Sequence, residues 1–295
     1  MDTHATNADF SAERRQVVMA GLAAPIWLSE VAGSAVAGSF TPDRAGLRKH
    51  GLEMTIVYDN NPGRQELISE WGFGCVVRGA KKTVLFDTGG AGWALMANMR
   101  QLDVDINDID VVVLSHIHWD HTGGLPSVAI ERPTIPVYMP TGFPAAFIEH
   151  ARSVGTRPIE AAESQEICPG VRTTGTLGQG AIEEHGLCVK TSEGWVLITG
   201  CAHPGVDNLA AQAKKVTGGP IRLVFGGFHM MRHSKAQANA VFNRLEGLGV
   251  ARVAPCHCTG DEARSLFKKR FTDRCELPGV GSVFRFQPDE EAGES

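Results

Sequence analysis

One segment near the middle of the chain constrains its fold and chemistry more than any other. Its sequence is VVVLSHIHWDHTGG, from Val111 to Gly124, and its first residues are an apolar run typical of a buried strand. Four side chains of metal-ligand type then fall within six residues: His116, His118, Asp120 and His121. In extended chain the first two histidines face the same side, and the other two side chains follow on a tight loop closed by glycines. The segment predicts a metal site with ligands for two adjacent ions; a histidine-rich surface loop without metal is the alternative.

Imidazole and carboxylate groups suit zinc, iron or manganese better than calcium. The pattern His-x-His-x-Asp-His after an apolar strand resembles the signature of the metallo-β-lactamase-fold superfamily, and Phe86-Asp87-Thr88-Gly89 resembles the first motif of that superfamily. The resemblance covers roughly residues 52–286. It implies a four-layer αββα sandwich of the α/β class with two divalent ions, zinc first and iron or manganese as alternatives. It also implies that Asp87 supports the site from behind.

A second apolar run, Trp195–Thr199, leads into Gly-Cys-Ala-His-Pro-Gly. In much of the superfamily an aspartate that bridges both metals stands where this chain has Cys201. The cysteine is therefore a soft bridging ligand, a non-bonded neighbour or a redox-sensitive group. The resemblance makes His203 a ligand, in place of the histidine that the superfamily usually carries before this strand; His185 is the one histidine near that place.

Two further strand ends carry histidines. The resemblance makes His257, in Pro-Cys-His-Cys-Thr-Gly, the last metal ligand. The flanking Cys256 and Cys258 are interpreted as packing residues, because the chain has no second cysteine pair at the spacing of a zinc clamp. His229, in Gly-Gly-Phe-His, is a candidate for substrate contact or acid–base catalysis, with a core histidine as the alternative. These motifs together resemble the branch of the superfamily that contains the archaeal dihydropterin–ribofuranosylaminobenzene phosphate synthases.

The rest of the chain fits this class. Short β-rich runs alternate with helical stretches from Leu52 onward, which indicates two sheets packed together with helices outside. Residues 157–180 are rich in Gly, Thr and Pro and are interpreted as irregular chain with short strands. A single domain is expected over residues 38–288, followed by an acidic tail over residues 289–295.

The first 37 residues are interpreted as a leader. Arg14-Arg15, an uncharged stretch over Gln16–Ser29 and the small residues Ala35-Val36-Ala37 resemble a twin-arginine export signal. The stretch is shorter than the roughly 20 apolar residues of a membrane span. A periplasmic or secreted protein is therefore expected; the alternative is an N-terminal amphipathic helix on a cytoplasmic protein.

Charge and motif together narrow the function. Lys and Arg number 28 against 33 Asp and Glu, a net charge of −5, so no diffuse basic field attracts nucleic acid. Two adjacent metal ions activate water and polarise the bond under attack. The leading hypothesis is a hydrolase of a small ester, lactone, amide or phosphoester, with Asp120 orienting the nucleophile. A pterin-condensing transferase and a metal-binding or sensing module without turnover are the alternatives. Arg232, His233 and Lys235, at an expected helix start, are a candidate anion site or an ordinary solvated helix start.

Overall fold

The computed structural model describes residues 51–178 and 182–287. The expected leader at residues 1–37 and the acidic tail at 289–295 lie outside the described residues. Both therefore stay predictions, as does the expected single domain over 38–288.

The strand that precedes the histidine segment lies inside a seven-stranded sheet. The strands of this sheet are β1 (Leu52–Asp59), β2 (Phe73–Arg78), β3 (Val84–Phe86), β4 (Val111–Val113), β5 (Pro136–Met139), β6 (Arg157–Glu160) and β13 (Val283–Phe286). Their order across the sheet is β13-β1-β2-β3-β4-β5-β6. Pairing is antiparallel from β13 to β3 and parallel from β3 to β6. The three valines of β4 are fully buried because both faces of the sheet are covered.

The second sheet has six strands and carries the other candidate ligands. Its strands are β7 (Glu166–Cys168), β8 (Val171–Thr173), β9 (Leu187–Thr191), β10 (Gly194–Thr199), β11 (Ile221–Gly227) and β12 (Arg252–Cys256). The order is β12-β11-β10-β9-β8-β7, with β10, β11 and β12 parallel and the remaining pairs antiparallel. The carboxyl ends of β10, β11 and β12 therefore meet at one edge of the sheet.

Three groups of buried apolar side chains define the layers. One group joins the two sheets face to face, with Ile56 and Val113 from the first sheet and Ile198 and Phe225 from the second. The other two groups pack helices against the outer face of each sheet. The helices are α1 (Gly92–Gln101), α2 (Trp119–Thr122), α3 (Leu125–Glu131), α4 (Ala145–Ser153), α5 (Val206–Thr217), α6 (Lys235–Gly247) and α7 (Asp261–Phe271). The order of layers is helix, sheet, sheet, helix, which confirms the expected αββα sandwich.

One local expectation needs adjustment. The segment after His118 was expected as a loop, but residues 119–122 form the one-turn helix α2, because the carbonyl oxygen of His118 accepts hydrogen bonds from the backbone N–H groups of His121 and Thr122. The stretch over 157–180 contributes three short strands, β6 to β8, to the edges of the two sheets, as expected. Within the described ranges, no helix has the length and apolar character needed to cross a membrane.

Candidate metal centre

The predicted ligands all lie beyond the carboxyl ends of four strands. His116 and His118 follow β4, and Asp120 and His121 stand on α2 just after them. The remaining candidates follow β10, β11 and β12 of the other sheet: Cys201, His203, His229 and His257. Because the two sheets pack face to face, these ends converge at one edge of the sandwich. The fold therefore brings together residues that lie up to 141 positions apart in sequence (257 − 116).

The first group of ligands, called position one, consists of His116, His118, His203 and Cys201. Ligand atoms of His116, Cys201 and His203 lie within 4.8 Å of one another. His118 Nδ1 lies 3.1 Å from His116 Nε2. The centroid of the His118 ring lies 4.8 Å from that of His203. Three imidazoles and a thiol thus converge on one point.

The second group, called position two, consists of Asp120, His121, His257 and Cys201. Their ligand atoms lie within 4.8 Å of one another, and all four residues are buried. The Sγ atom of Cys201 lies 3.2 Å from His121 Nε2 and 3.4 Å from His257 Nε2. Cys201 therefore belongs to both positions, which is the place of a bridging ligand.

The hydrogen bonds behind position two show that a cation fits there. His121 Nδ1 lies 2.7 Å from Asp87 Oδ2, and His257 Nδ1 lies 2.7 Å from Asn60 Oδ1. Both partners are acceptors, so both Nδ1 atoms carry a proton and both Nε2 atoms are the ring nitrogens that face the cluster. These two Nε2 atoms face each other at 3.2 Å. Two imidazole nitrogens at this distance share a positive charge, either a proton on His121, whose pKa is raised, or a metal ion that replaces that proton.

The histidines of position one also present ring nitrogens that are available to a cation. Ser115 Oγ donates to Asp87 Oδ2 at 2.7 Å, so it accepts from His116 Nδ1 at 2.9 Å and leaves His116 Nε2 as a lone pair facing the cluster. His203 Nε2 is buried and has no hydrogen-bond partner. A buried, unpaired imidazole nitrogen in a cluster of ligands is what a metal-binding histidine presents in the absence of its metal.

Burial and the charges within the cluster shift the pKa values of its groups. Burial lowers the pKa of His116 and His118, and burial together with the neighbouring His229 lowers that of His203 to about 3. These three rings are therefore neutral at pH 7, as ligation requires. His121 differs: burial disfavours its charge, but the Asp87 carboxylate outweighs burial and raises the pKa to about 9. Burial opposes ionisation of Asp120, yet His257 and His121 lower its pKa to about 2.

Two buried carboxylates hold the ligand segments in place. Asp87, predicted from the sequence, accepts hydrogen bonds from Ser115 N at 2.6 Å, from Ser115 Oγ and from the His121 ring. Glu184 is the other, and the sequence does not predict its role. It is fully buried and accepts from three consecutive backbone N–H groups, those of Cys201 at 3.0 Å, Ala202 at 2.7 Å and His203 at 2.8 Å.

Glu184 holds a backbone conformation that a non-glycine residue rarely adopts. Ala202, between the two candidate ligands, has φ +61°, in the left-handed region. Successive N–H groups around such a residue form a concave nest that binds an anion, and here the chain supplies that anion itself. Burial raises the pKa of Glu184 to about 7. The one signal for Glu184 in the sequence is its place beside His185.

The structure places the remaining candidates as follows. His185 is fully buried and lies outside the ligand clusters. Cys256 is packed in the core between the sheets, as expected. Cys258, also expected to be a packing residue, instead lies with Cys201 and His229 in a third cluster of ligand atoms. The reason is the one-turn helix over His257–Thr259, which turns residue 258 back toward β10.

The candidate anion site at the start of α6 is already capped. Ser234 is the N-cap, and its hydroxyl accepts from Gln237 N while the Gln237 side chain returns to Ser234 N. This capping box satisfies N–H groups that an anion would otherwise bind. Arg232, His233 and Lys235 are exposed. The geometry therefore favours the solvated helix start over the anion site.

The αββα fold and the ligand set at its edge define a class of metal-binding proteins. Residues 75–257 match the model of the metallo-beta-lactamase superfamily, and the chain belongs to that superfamily.

Individual relatives and solved structures resemble the chain over most of its length. The 7,8-dihydropterin-6-methyl-4-(beta-D-ribofuranosyl)-aminobenzene-5'-phosphate synthase of Methanocaldococcus jannaschii is 27% identical over 282 residues, covering 81% of this chain and 90% of the synthase. The crystal structure of Tm1679, a metal-dependent hydrolase of the beta-lactamase superfamily, superimposes with a TM-score of 0.67 at 26% identity, covering 80% of this chain and 99% of that one. The metallo-beta-lactamase fold protein YhfI from Bacillus subtilis superimposes with a TM-score of 0.57 at 15% identity, covering 79% and 99% of the two chains. This last similarity concerns the fold alone.

Proposed function

We propose that the protein is a metal-dependent hydrolase with a dinuclear centre at positions one and two, acting on a small ester, lactone, amide or phosphoester. The observation that carries the proposal is the pair of Nε2 atoms of His121 and His257, which face each other at 3.2 Å beside Asp120 and Cys201. The similarity to Tm1679, described as a metal-dependent hydrolase, supports the same class of reaction.

Different residues of the chain would hold the two ions. His116, His118 and His203 would hold one ion, Asp120, His121 and His257 the other, and Cys201 would bridge them. Two divalent ions bound there, zinc first and iron or manganese as alternatives, would supply a water nucleophile at neutral pH and polarise the bond under attack. The Asp120 carboxylate, which keeps its negative charge because its pKa is held at about 2, would orient that nucleophile.

His229 is the second proposed catalytic residue. Its ring lies beside that of His203, with the centroids 4.2 Å apart, and its side chain is exposed to the solvent at the mouth of the site. A hydrogen bond with Cys258 raises its pKa above the ordinary value. A protonated imidazole at this place can donate a proton to a leaving group or contact an anionic part of a substrate.

A cleft next to His203 is the proposed substrate site. It has a volume of about 650 Å³, within the range of clefts that bind small molecules. Its lining combines the apolar Leu177 and Ile182 with the polar Asn208, Gln212 and Lys215 of α5. We therefore expect a small-molecule substrate with both an apolar and a polar or anionic part.

The experiment is a screen of the metal-loaded full chain against esters, lactones, phosphodiesters and β-lactams. His118→Ala removes one ligand and is expected to lower kcat/KM on any substrate found by at least about 100-fold. His150→Ala, which changes an exposed histidine on α4, is the matched control and should keep wild-type turnover. Equal activity in the two variants would contradict the proposal.

The second candidate function is a pterin-condensing transferase, favoured by the similarity to the archaeal synthase over most of both chains. The same metal-loaded protein is incubated with a dihydropterin and a ribofuranosylaminobenzene phosphate. A condensed product, with no turnover in the hydrolase screen, would replace the leading proposal by this one. Metal binding without turnover in either assay would favour the sensing module.

We also propose that the protein is exported through its twin-arginine-like leader, Arg14-Arg15 followed by the uncharged stretch to Ser29. N-terminal sequencing of the protein from its native host tests this. A mature chain that begins after Ala37 is expected. A chain that retains Met1 would contradict export with cleavage and favour the cytoplasmic alternative.

A further inference from the structure

The third cluster of ligand atoms lies beside the dinuclear centre and contains two thiols. The Sγ atoms of Cys201 and Cys258 and a ring nitrogen of His229 lie within 4.8 Å of one another. Cys258 Sγ lies 3.6 Å from the carbonyl oxygen of Cys201. The two thiols are 3% and 4% exposed, whereas His229 is exposed. The cluster is therefore closed behind the sulfurs and open on the side of the imidazole.

The backbone is shaped so that these three side chains meet. His229 has φ +48° and His257 has φ +45°, both in the left-handed region that non-glycine residues rarely adopt. Gly227 leaves room for the thiol, since a Cβ atom there would lie 2.8 Å from Cys258 Sγ. Thr259 Oγ1 accepts from Phe228 N and thereby ties the end of β11 to the turn that carries Cys258. Strained backbone of this kind persists where the surrounding structure holds it, and it is concentrated at functional sites.

We propose that Cys201, His229 and Cys258 form a third metal position, which takes a thiophilic ion such as zinc. Two cysteines and one histidine are a ligand set of zinc sites that keep a fourth coordination position open. The open side of the cluster, at His229, provides that position. Thiol ligands select zinc over magnesium, calcium and manganese. Among the described cysteines, Cys201 and Cys258 are the two that belong to a cluster of metal-ligand atoms.

Occupancy of this third position has a consequence for activity, which rests on the function proposed above. Cys201 is shared with the dinuclear centre, so the third ion binds after the first two and more weakly. The bound ion takes up the imidazole nitrogen that His229 needs for proton transfer. Zinc in excess of the dinuclear complement would therefore inhibit turnover, and Cys258→Ser would relieve that inhibition.

The binding test does not depend on turnover. The full chain is stripped of metal under reducing conditions, its free thiols are counted, and it is titrated with Co²⁺, whose bond to a thiolate gives an intense near-ultraviolet charge-transfer absorption. We expect a third, weaker equivalent that adds charge-transfer intensity in the wild type. Cys258→Ser should lose this equivalent and its added intensity. The control is Cys275→Ser, because the Cys275 thiol already donates to the carbonyl oxygen of Glu276 and a hydroxyl can replace it.

Thermal unfolding of each metal-free variant shows whether it folds. If Cys258→Ser does not fold, His229→Gln at the exposed corner of the cluster replaces it, and the third equivalent should again be lost. Unchanged binding and absorption in a folded Cys258→Ser or His229→Gln variant would overturn the third position. If the titration shows the third equivalent but the screen of the protein loaded with two ions finds no turnover, the proposed reaction is overturned and the third position stands.

Discussion

Two ligand segments of the centre are each held by one buried carboxylate, but in different ways. Asp87 contacts Ser115 and the ring of His121, and through the Ser115 hydroxyl it also orients the ring of His116. Glu184 contacts backbone alone, through the N–H groups of residues 201–203. Asp87 thus fixes which nitrogen of a ligand carries the proton. Glu184 fixes the shape of the loop that presents two ligands.

This difference predicts that the loss of each carboxylate affects metal binding in a different way. Loss of Asp87 changes a histidine at each of the two positions, because His116 belongs to position one and His121 to position two. Loss of Glu184 leaves the tautomers of these rings intact and displaces Cys201 and His203. Asp87 should therefore affect the affinity for both ions. Glu184 should affect mainly the affinity for the ion at position one.

The largest effect is expected for Asp87→Ala. The substitution leaves three buried donors, Ser115 N, Ser115 Oγ and His121 Nδ1, without their acceptor, and each unpaired donor costs about 1–3 kcal/mol. We expect the free energy of unfolding of the metal-free protein to fall by about 3 kcal/mol and the affinity for both ions to fall by about 100-fold. Urea unfolding and metal titration measure the two quantities. Wild-type metal affinity at either position in this variant would contradict the role of Asp87 at both positions.

A smaller and more selective effect is expected for Glu184→Gln. The amide keeps one acceptor oxygen, but its NH₂ group faces N–H donors of the 201–203 loop. Affinity for the ion at position one should fall by about 10-fold, with the second ion affected less. The neighbouring Glu183→Gln is the matched control, because that side chain accepts a hydrogen bond from Thr141 on the exposed surface. Equal metal affinities for the two variants would show that the backbone contacts do not hold the loop.

The smallest effect concerns protons. With Asp87 present the pKa of His121 in the metal-free protein is about 9, so at pH 7.5 this ring is protonated and must lose its proton when a metal binds. In Asp87→Asn the main carboxylate that raises the pKa of His121 is gone, burial then outweighs the more distant Asp120 and Glu184, and we expect a neutral ring before metal binds. Calorimetry in buffers of different ionisation enthalpy should show about one proton fewer released by this variant. Glu184→Gln should match the wild type more closely, and the reverse order would contradict the separate roles of the two carboxylates.

Much of the centre followed from the sequence because its signals are local. His116, His118, Asp120 and His121 lie in one short segment, and the resemblance carried His203 and His257 onto other strand ends. Asp87 came from the same source. The αββα sandwich followed from the alternation of strands and helices together with that resemblance. The structure places all of these side chains at one edge of the sandwich.

The remaining features depend on contacts between distant residues. Asn60 orients His257 from 197 positions away, and Glu184 reaches His203 from 19 positions away. Neither contact leaves a pattern in the sequence of one chain. The sequence predicts a packing role for Cys258, because it shows the spacing from Cys256 but not the turn at His257 that directs Cys258 toward Cys201. Helix α2 has four residues, too few to show a helical period.

Metal analysis of the purified full chain tests the central claim most directly. The protein is loaded with two equivalents of zinc, passed through gel filtration to remove unbound ions, and its metal content is measured per chain. We expect about two ions per chain for the wild type, about one for His118→Ala and about two for the surface control His150→Ala. A wild-type chain that retains no transition metal, or a His118→Ala variant that retains as much as the wild type, would contradict the account.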